Sequence, residues 1–120
     1  MKPHRNLDVW KRSIKFVVHV YKVTEKFPSS EQYGITSQMR RAVVSIPANI
    51  AEGAARRSTK DGLQFFYVSR GSISELDTHI EICKELGLIK EKEYQDLCAG
   101  LEEISKMLNG LISYRKTQYS

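Results

Sequence analysis

Between residues 94 and 111 the apolar positions are Tyr94, Leu97, Leu101, Ile104, Leu108 and Leu111. Spacings of three and four put them on one side of a helix and leave charge on the others. Phe66, Ile73, Leu76, Ile80 and Cys83 form a matching seam upstream, and the short connection after Leu86 makes the two segments an antiparallel helical hairpin. Every other long segment keeps the helical period, and the alternation of half-buried strands is missing. The pattern predicts an all-α chain, one domain over residues 1–120, built as an antiparallel up-down-up-down four-helix bundle. Its helices are expected at about 7–27, 36–56, 59–86 and 91–116.

Punctuation residues set those bounds. Asn6 is expected to cap the first helix, with Asp8 in its first turn and Pro28 barring continuation. Pro28 to Gly34 is a loop, and Thr36 is the expected cap of the second helix. Ser58 with Asp61 three residues on is a carboxylate variant of the capping box, Gly87 ends the third helix, and a polar tail follows the fourth.

The first two helices are apolar on two sides. At about 100° per residue, Trp10, Ile14, Val17, Val18 and Tyr21 occupy one sector, and Val9, Phe16, Val20, Val23 and Phe27 another. A third sector holds Lys11, Arg12, Lys15, His19, Lys22 and Lys26. In the second helix Met39, Val43, Ile46, Ile50 and Ala54 form a core seam, while Val44, Ala48, Ala51 and Ala55 form a second strip. A lone subunit leaves such strips in water, so the chain is expected to form a homo-oligomer in which helices 1 and 2 supply the contacts.

Pro47 lies inside the second helix, where it removes a backbone donor, leaves the carbonyl of Val43 without its helical partner and costs about 3 kcal/mol in an ordinary helix interior. The polar strip Arg41, Ser45, Asn49, Glu52 and Arg56 runs past it, and its hydroxyl and amide are expected to satisfy nearby backbone groups rather than to bind a ligand. Gly53, Gly62 and Gly71 read as places of close helix packing.

Composition sharpens this picture at one point. Residues 1–60 carry 12 Lys and Arg against 4 Asp and Glu, whereas residues 61–120 carry 7 against 10. Concentrated positive charge favours phosphate-rich partners. Charged residues interrupt the first 30 positions, so neither a signal peptide nor a membrane span is expected, and the chain is placed in the cytoplasm. Cys83 and Cys98 are too few for a disulfide scaffold and read as two reduced core thiols.

The stretch QMRRAVVSIPANIAEGAARRS, with S-I-P-A-N-I-A-E-G at Ser45 to Gly53, and FFYVSRGSISELDTHIEI, with R-G-S-x-x-E at Arg70 to Glu75, resemble the four-helix-bundle family encoded by intervening sequences in bacterial large-subunit ribosomal RNA genes. That family includes the accessory variability determinants of diversity-generating retroelements. LDVWKRS is similar to its first helix, and the likeness spans nearly the whole chain. The resemblance implies antiparallel helices assembled into a ring, a homopentamer in retroelement members, with a basic surface for RNA or DNA and, in that branch, a reverse transcriptase as partner. It implies no enzymatic activity.

The expected function is therefore a non-catalytic nucleic-acid-binding oligomer. The expected contacts are Lys11, Arg12, Lys15, Lys22 and Lys26 from helix 1, Arg40, Arg41, Arg56 and Arg57 from helix 2, and Arg70 from helix 3. Binding through phosphates should be salt-sensitive and weakly base-specific, since no recognition helix, zinc knuckle or RNP motif is present. Two alternatives stand beside it. Arg12 and His19, seven apart on one face, resemble the Arg-x(4–6)-His motif of metal-independent helical endoribonucleases, with histidine as general base and arginine at the phosphate. The other is a protein-binding scaffold that uses the second apolar strips. No catalytic residue, cofactor or metal is assigned: His4, His19 and His79 are scattered, and no Gly-rich loop or ligand-spaced cluster exists.

Overall fold

The computed structural model describes residues 2–118 and contains α1 (Asp8–Glu25), α2 (Ile35–Ala54), α3 (Thr59–Glu85) and α4 (Glu91–Gln118), with 3-10 turns at Pro3–Asn6 and Ser29–Glu31. The four helices form an all-α bundle. Ser58 caps α3 by accepting the Asp61 amide at 3.1 Å. Gly87 (φ +74°) closes it: with the chain turned left-handed, the Leu88 amide reaches back to the Cys83 carbonyl at 2.9 Å.

The other expected caps differ. Asn6 belongs to the 3-10 turn, and α1 starts after Leu7 with no side-chain cap. Thr36 is buried inside α2, which begins one residue earlier after Gly34; Ser37 Oγ donates to the Gly34 carbonyl at 3.1 Å. Extended Leu7 and non-helical Gly34 separate the 3-10 turns from the helices and take the entry positions that the pattern gave to Asn6 and Thr36. α1 and α2 each end two residues earlier than expected, and α4 runs on past 116; residues 119 and 120 of the expected polar tail lie outside the described residues.

Pairings run in opposite senses along adjoining helices. Ser45 meets Ser72 while Gly53 meets Gly62; Glu81 meets Tyr94 while Arg70 meets Asn109; Lys26 meets Glu93 while Arg12 meets Glu103. So α2/α3, α3/α4 and α1/α4 are antiparallel, which makes α1 and α2 antiparallel as well. Among the described residues neither diagonal pair comes together. The result is a rod of 47 × 23 × 22 Å.

The core takes one apolar sector from each helix: Val9, Phe16, Val20 and Val23 from α1, the expected Met39 to Ala54 seam from α2, and the expected Phe66 to Cys83 seam from α3. In α4 the seam ends in Ile112, with Leu111 only half-buried. The α2/α3 contact is the closest. A Cβ on Gly53 would stand 2.5 Å from Phe66 Cε1 and 2.7 Å from the Gly62 carbonyl oxygen, so glycine there sets how near the helices approach. Gly71 differs from the expectation: nothing lies within 4 Å of its missing Cβ, because it faces outward.

Pro47 is buried and α2 continues through it. Neighbouring carbonyls receive side-chain donors: Asn49 Nδ2 donates to the Ser45 carbonyl at 2.9 Å, and Ser69 Oγ to the Ile46 carbonyl at 2.9 Å. Ser69 comes from α3, so the helix packed against the proline turn supplies a donor to the carbonyl that precedes Pro47.

Candidate nucleic-acid interface

The expected site residues fall into three groups. On α1, Lys11, Lys15 and Lys22 are exposed and have no ion-pair or hydrogen-bond partner among the described residues. Arg12 and Lys26, toward α4, are neutralised: Arg12 pairs with Glu103 and lies 5.9 Å from the Phe16 ring centroid, and Lys26 pairs with Glu93 at 2.9 Å. The Glu93 carboxyl is held below its ordinary pKa by the Lys90 amide first and by Lys26 second.

The second group lies where α1 meets α2. Arg40 Nε donates to Thr24 Oγ1 at 2.9 Å, and its guanidinium carbon stands 4.5 Å from the Tyr21 ring centroid. That side chain bolts two helices together. Around it Ile14, Val18, Tyr21 and Val44 are 40, 49, 40 and 43 % exposed, and Tyr33 is 90 % exposed. Two adjoining hollows share Tyr21 and Arg40; Val17, Val18, Lys22 and the acid Glu25 complete one, while the lining of the other includes Tyr33, Arg41 and Val44. The outer apolar sector of α1 is thus only partly covered by its own chain, and the exposed Lys22 and Arg41 border it.

The third group gathers at the end of the bundle where α2 passes into α3 and α4 finishes. Arg56 pairs with Glu52 at 2.6 Å and sits 4.5 Å from the Phe65 ring. Arg70 sits 4.9 Å from the Tyr67 ring and reaches Asn109 Oδ1 at 3.4 Å. Arg57 is exposed in the turn. Residues outside the expected set join them: Lys60 in the first turn of α3, Arg115 at 5.5 Å from the Phe66 ring, and Lys116 at 5.6 Å from the Tyr67 ring. The signal for these was the run Phe65-Phe66-Tyr67 beside the arginine pair. Arg115 and Lys116 stand some fifty positions on, in the acidic half of the chain, and only the α3/α4 register brings them over.

In the middle of the polar strip of α2, Ser45 meets α3. Ser72 Oγ donates to the Val68 carbonyl at 3.2 Å, which leaves Ser45 Oγ to donate to Ser72 Oγ at 2.8 Å and to accept from Asn49 Nδ2 at 2.9 Å. Each of these polar groups is used within the fold. His19 lies edge-on to Phe16, whose ring Arg12 also flanks, so the Arg12/His19 pair shares one neighbourhood with Arg12 already held by Glu103. Cys83 and Cys98 are free thiols, the first in the core as expected and the second only half-buried; burial pushes Cys83 up to about 11 and raises Cys98 as well. No cluster of three or more His, Cys, Asp or Glu is arranged to hold a metal ion, and no helix is long and apolar enough to cross a membrane, among the described residues.

Comparison with known proteins places this architecture. The family model described as 23S rRNA-intervening sequence protein matches residues 5–110. A crystal structure of a protein of unknown function from the S23 ribosomal protein family of Bacteroides thetaiotaomicron superposes with a TM-score of 0.79 at 24 % identity, covering 87 % of this chain and 97 % of that one. No curated protein matches the sequence.

Proposed function

The chain belongs to the 23S rRNA-intervening sequence protein family, and from that premise we propose that it is a non-catalytic, homo-oligomeric nucleic-acid-binding protein of the cytoplasm, a ring of subunits that holds RNA or DNA mainly through phosphates. One observation carries the reading: the half-exposed apolar sector of α1 and α2 is bordered by Lys22 and Arg41, with Lys11 and Lys15 farther along α1, cations that form no ion pair with a carboxylate among the described residues. Burying the apolar sector between copies removes it from water and repeats the lysines around a shared rim. Unpaired cations in number attract polyphosphate by releasing its counterions. The five-membered ring and a reverse transcriptase as protein partner come from the likeness to retroelement members. RNA is the first polynucleotide to test, because the family description refers to a ribosomal RNA sequence.

Light scattering of the purified chain and titration with structured RNA, single-stranded DNA and duplex DNA across a salt series test both halves. An oligomer whose affinity falls steeply with salt, and falls further when Lys11, Lys15 and Lys22 become Gln, supports the reading. A monomer at micromolar concentration that binds none of the three removes it in favour of a protein-binding scaffold. RNA cleavage that disappears in Arg12→Ala and His19→Ala chains would make the protein a nuclease; the ion pair of Arg12 with Glu103 is why we place that reading second.

A further inference from the structure

The four-helix rod is electrically uneven along the α3/α4 hairpin. Around its turn Asp77, Glu81, Glu85, Glu91, Glu93 and Asp96 outnumber Lys84, Lys90 and Lys92, whereas the opposite half carries Arg70, Arg115 and Lys116 together with Arg57 and Lys60 against Asp61. At that basic end four cations lie over three consecutive rings: Arg56 on Phe65, Arg115 on Phe66, and both Arg70 and Lys116 on Tyr67. A cation over a ring is held in position but keeps its charge, because the ring offers a quadrupole and no counter-ion. Carboxylates cancel Arg12, Lys26 and Arg56; among the described residues Arg70 meets the Tyr67 ring and the neutral amide oxygen of Asn109, and Arg115 and Lys116 pair with no acid.

Tyr67 is half-buried, so its ring is anchored in the α3/α4 contact while part of it reaches solvent. It is shared by two cations from two helices, one at 4.9 Å and one at 5.6 Å. We propose that this end of the bundle is a docking subsite for unpaired polynucleotide: a base stacks against the Tyr67 ring in place of the looser Lys116 ammonium, and Arg70, Arg115 and Lys116 take the flanking phosphates. The proposal rests on the nucleic-acid reading above and adds where the strand is held and of what kind it is. Aromatic platforms beside cations select unpaired strands because a duplex hides the faces of its bases in its own stack, whereas every free base has a face to offer. RNA and single-stranded DNA share that chemistry.

The test compares the full-length chain with Tyr67→Leu, and separately with Arg115→Gln/Lys116→Gln, by fluorescence anisotropy on labelled oligo(U), oligo(dT) and a duplex of matched length over a salt series. Tyr67→Leu should weaken binding of the unpaired strands about fivefold or more and leave the duplex unchanged. The double variant should make the log-log salt slope on single strands shallower by about 1.4, two phosphate contacts at about 0.7 each. Weakening on oligo(U) alone, on oligo(dT) alone or on both supports the subsite and tells which sugar it accepts. Equal weakening on the duplex overturns the preference for unpaired strands. Unchanged single-strand binding in both variants overturns the subsite; if Lys11, Lys15 and Lys22 to Gln then abolishes binding, the broader reading stands without it. A wild-type chain that binds no strand overturns both. Should Tyr67→Leu melt far below the wild type, the exposed Lys116 and its neighbour, which lie outside the core, decide the matter alone.

Discussion

Gly53 and Gly71 show how one residue type carries opposite consequences within two contacting helices. Ala at 53 drives its methyl into Phe66 and the Gly62 backbone, so Gly53→Ala should lose about 1–3 kcal/mol by overpacking, read as a lower urea midpoint. Ala at 71 meets open space on an exposed helical position, so Gly71→Ala should gain about 0.5–1 kcal/mol. The hydroxyl chain through Ser45 and Ser72 is directional: Ser72→Ala leaves the Ser45 proton without its acceptor, and a loss of about 1–3 kcal/mol in chemical unfolding is expected. His79 is buried, its Nδ1 has no hydrogen-bond partner among the described residues, and burial lowers its pKa from 6.5 more strongly than Glu75, 3.6 Å from Nε2, raises it. Because the unfolded chain then binds the proton more readily, the stability tied to neutral His79 is complete above about pH 6.5 and is lost as pH falls through the lowered value. Melting temperature should therefore fall from pH 7.5 to 5.5 in the wild type and stay flatter in His79→Gln, whatever the starting stability of the variant.

At the scale of the helix, legibility followed how much of the pattern was local. The seams of α3 and α4 and the Ser58 and Gly87 signals depend on neighbours three or four positions away, and they fold as their spacing dictates. Ser58→Ala should lower stability by about 1 kcal/mol, measurable as a shift in the unfolding midpoint. Asn6 and Thr36 failed as caps for the converse reason: the chain leaves helical geometry at extended Leu7 and again at Gly34, and these residues, rather than the nearby polar ones, take the entry positions of α1 and α2 without a side-chain cap. Helix 1 was legible as having two apolar sides, but which of them is core is decided by α2 and α4, the helices it packs against, rather than by α1. The burial of Phe16 against Gly100, where a Cβ would stand 2.7 Å from the ring, is what settles it. The candidate site behaved alike. Lys11, Lys15 and Lys22 were readable because they share one helix sector, whereas Arg40 changes meaning once Thr24 and Tyr21 are beside it, and Lys60, Arg115 and Lys116 become visible only when α4 is laid along α3.

Over the whole molecule two kinds of surface are separated: an incompletely covered apolar side on α1 and α2, and a basic end with its rings on α3 and α4. The separation makes them independently breakable. Val18→Glu with Val44→Glu places two carboxylates in the exposed sector, outside the core, so each chain should keep its fold while copies of it repel where they would pack. Light scattering should then report the mass of one chain, with an unchanged helical circular dichroism spectrum. If polynucleotide is gripped by charge repeated around a ring, this monomer should bind a long RNA far more weakly than the oligomer does, since linked sites raise effective concentration and single ones do not. It should still bind a short oligo(U) with nearly the affinity of one wild-type subunit, because Arg70, Arg115, Lys116 and Tyr67 belong to a single chain and lie at the other surface. A wild-type chain that already runs as a monomer, or a double variant that stays assembled, would show that α1 and α2 are not where copies meet, and the exposed sector would need a different occupant.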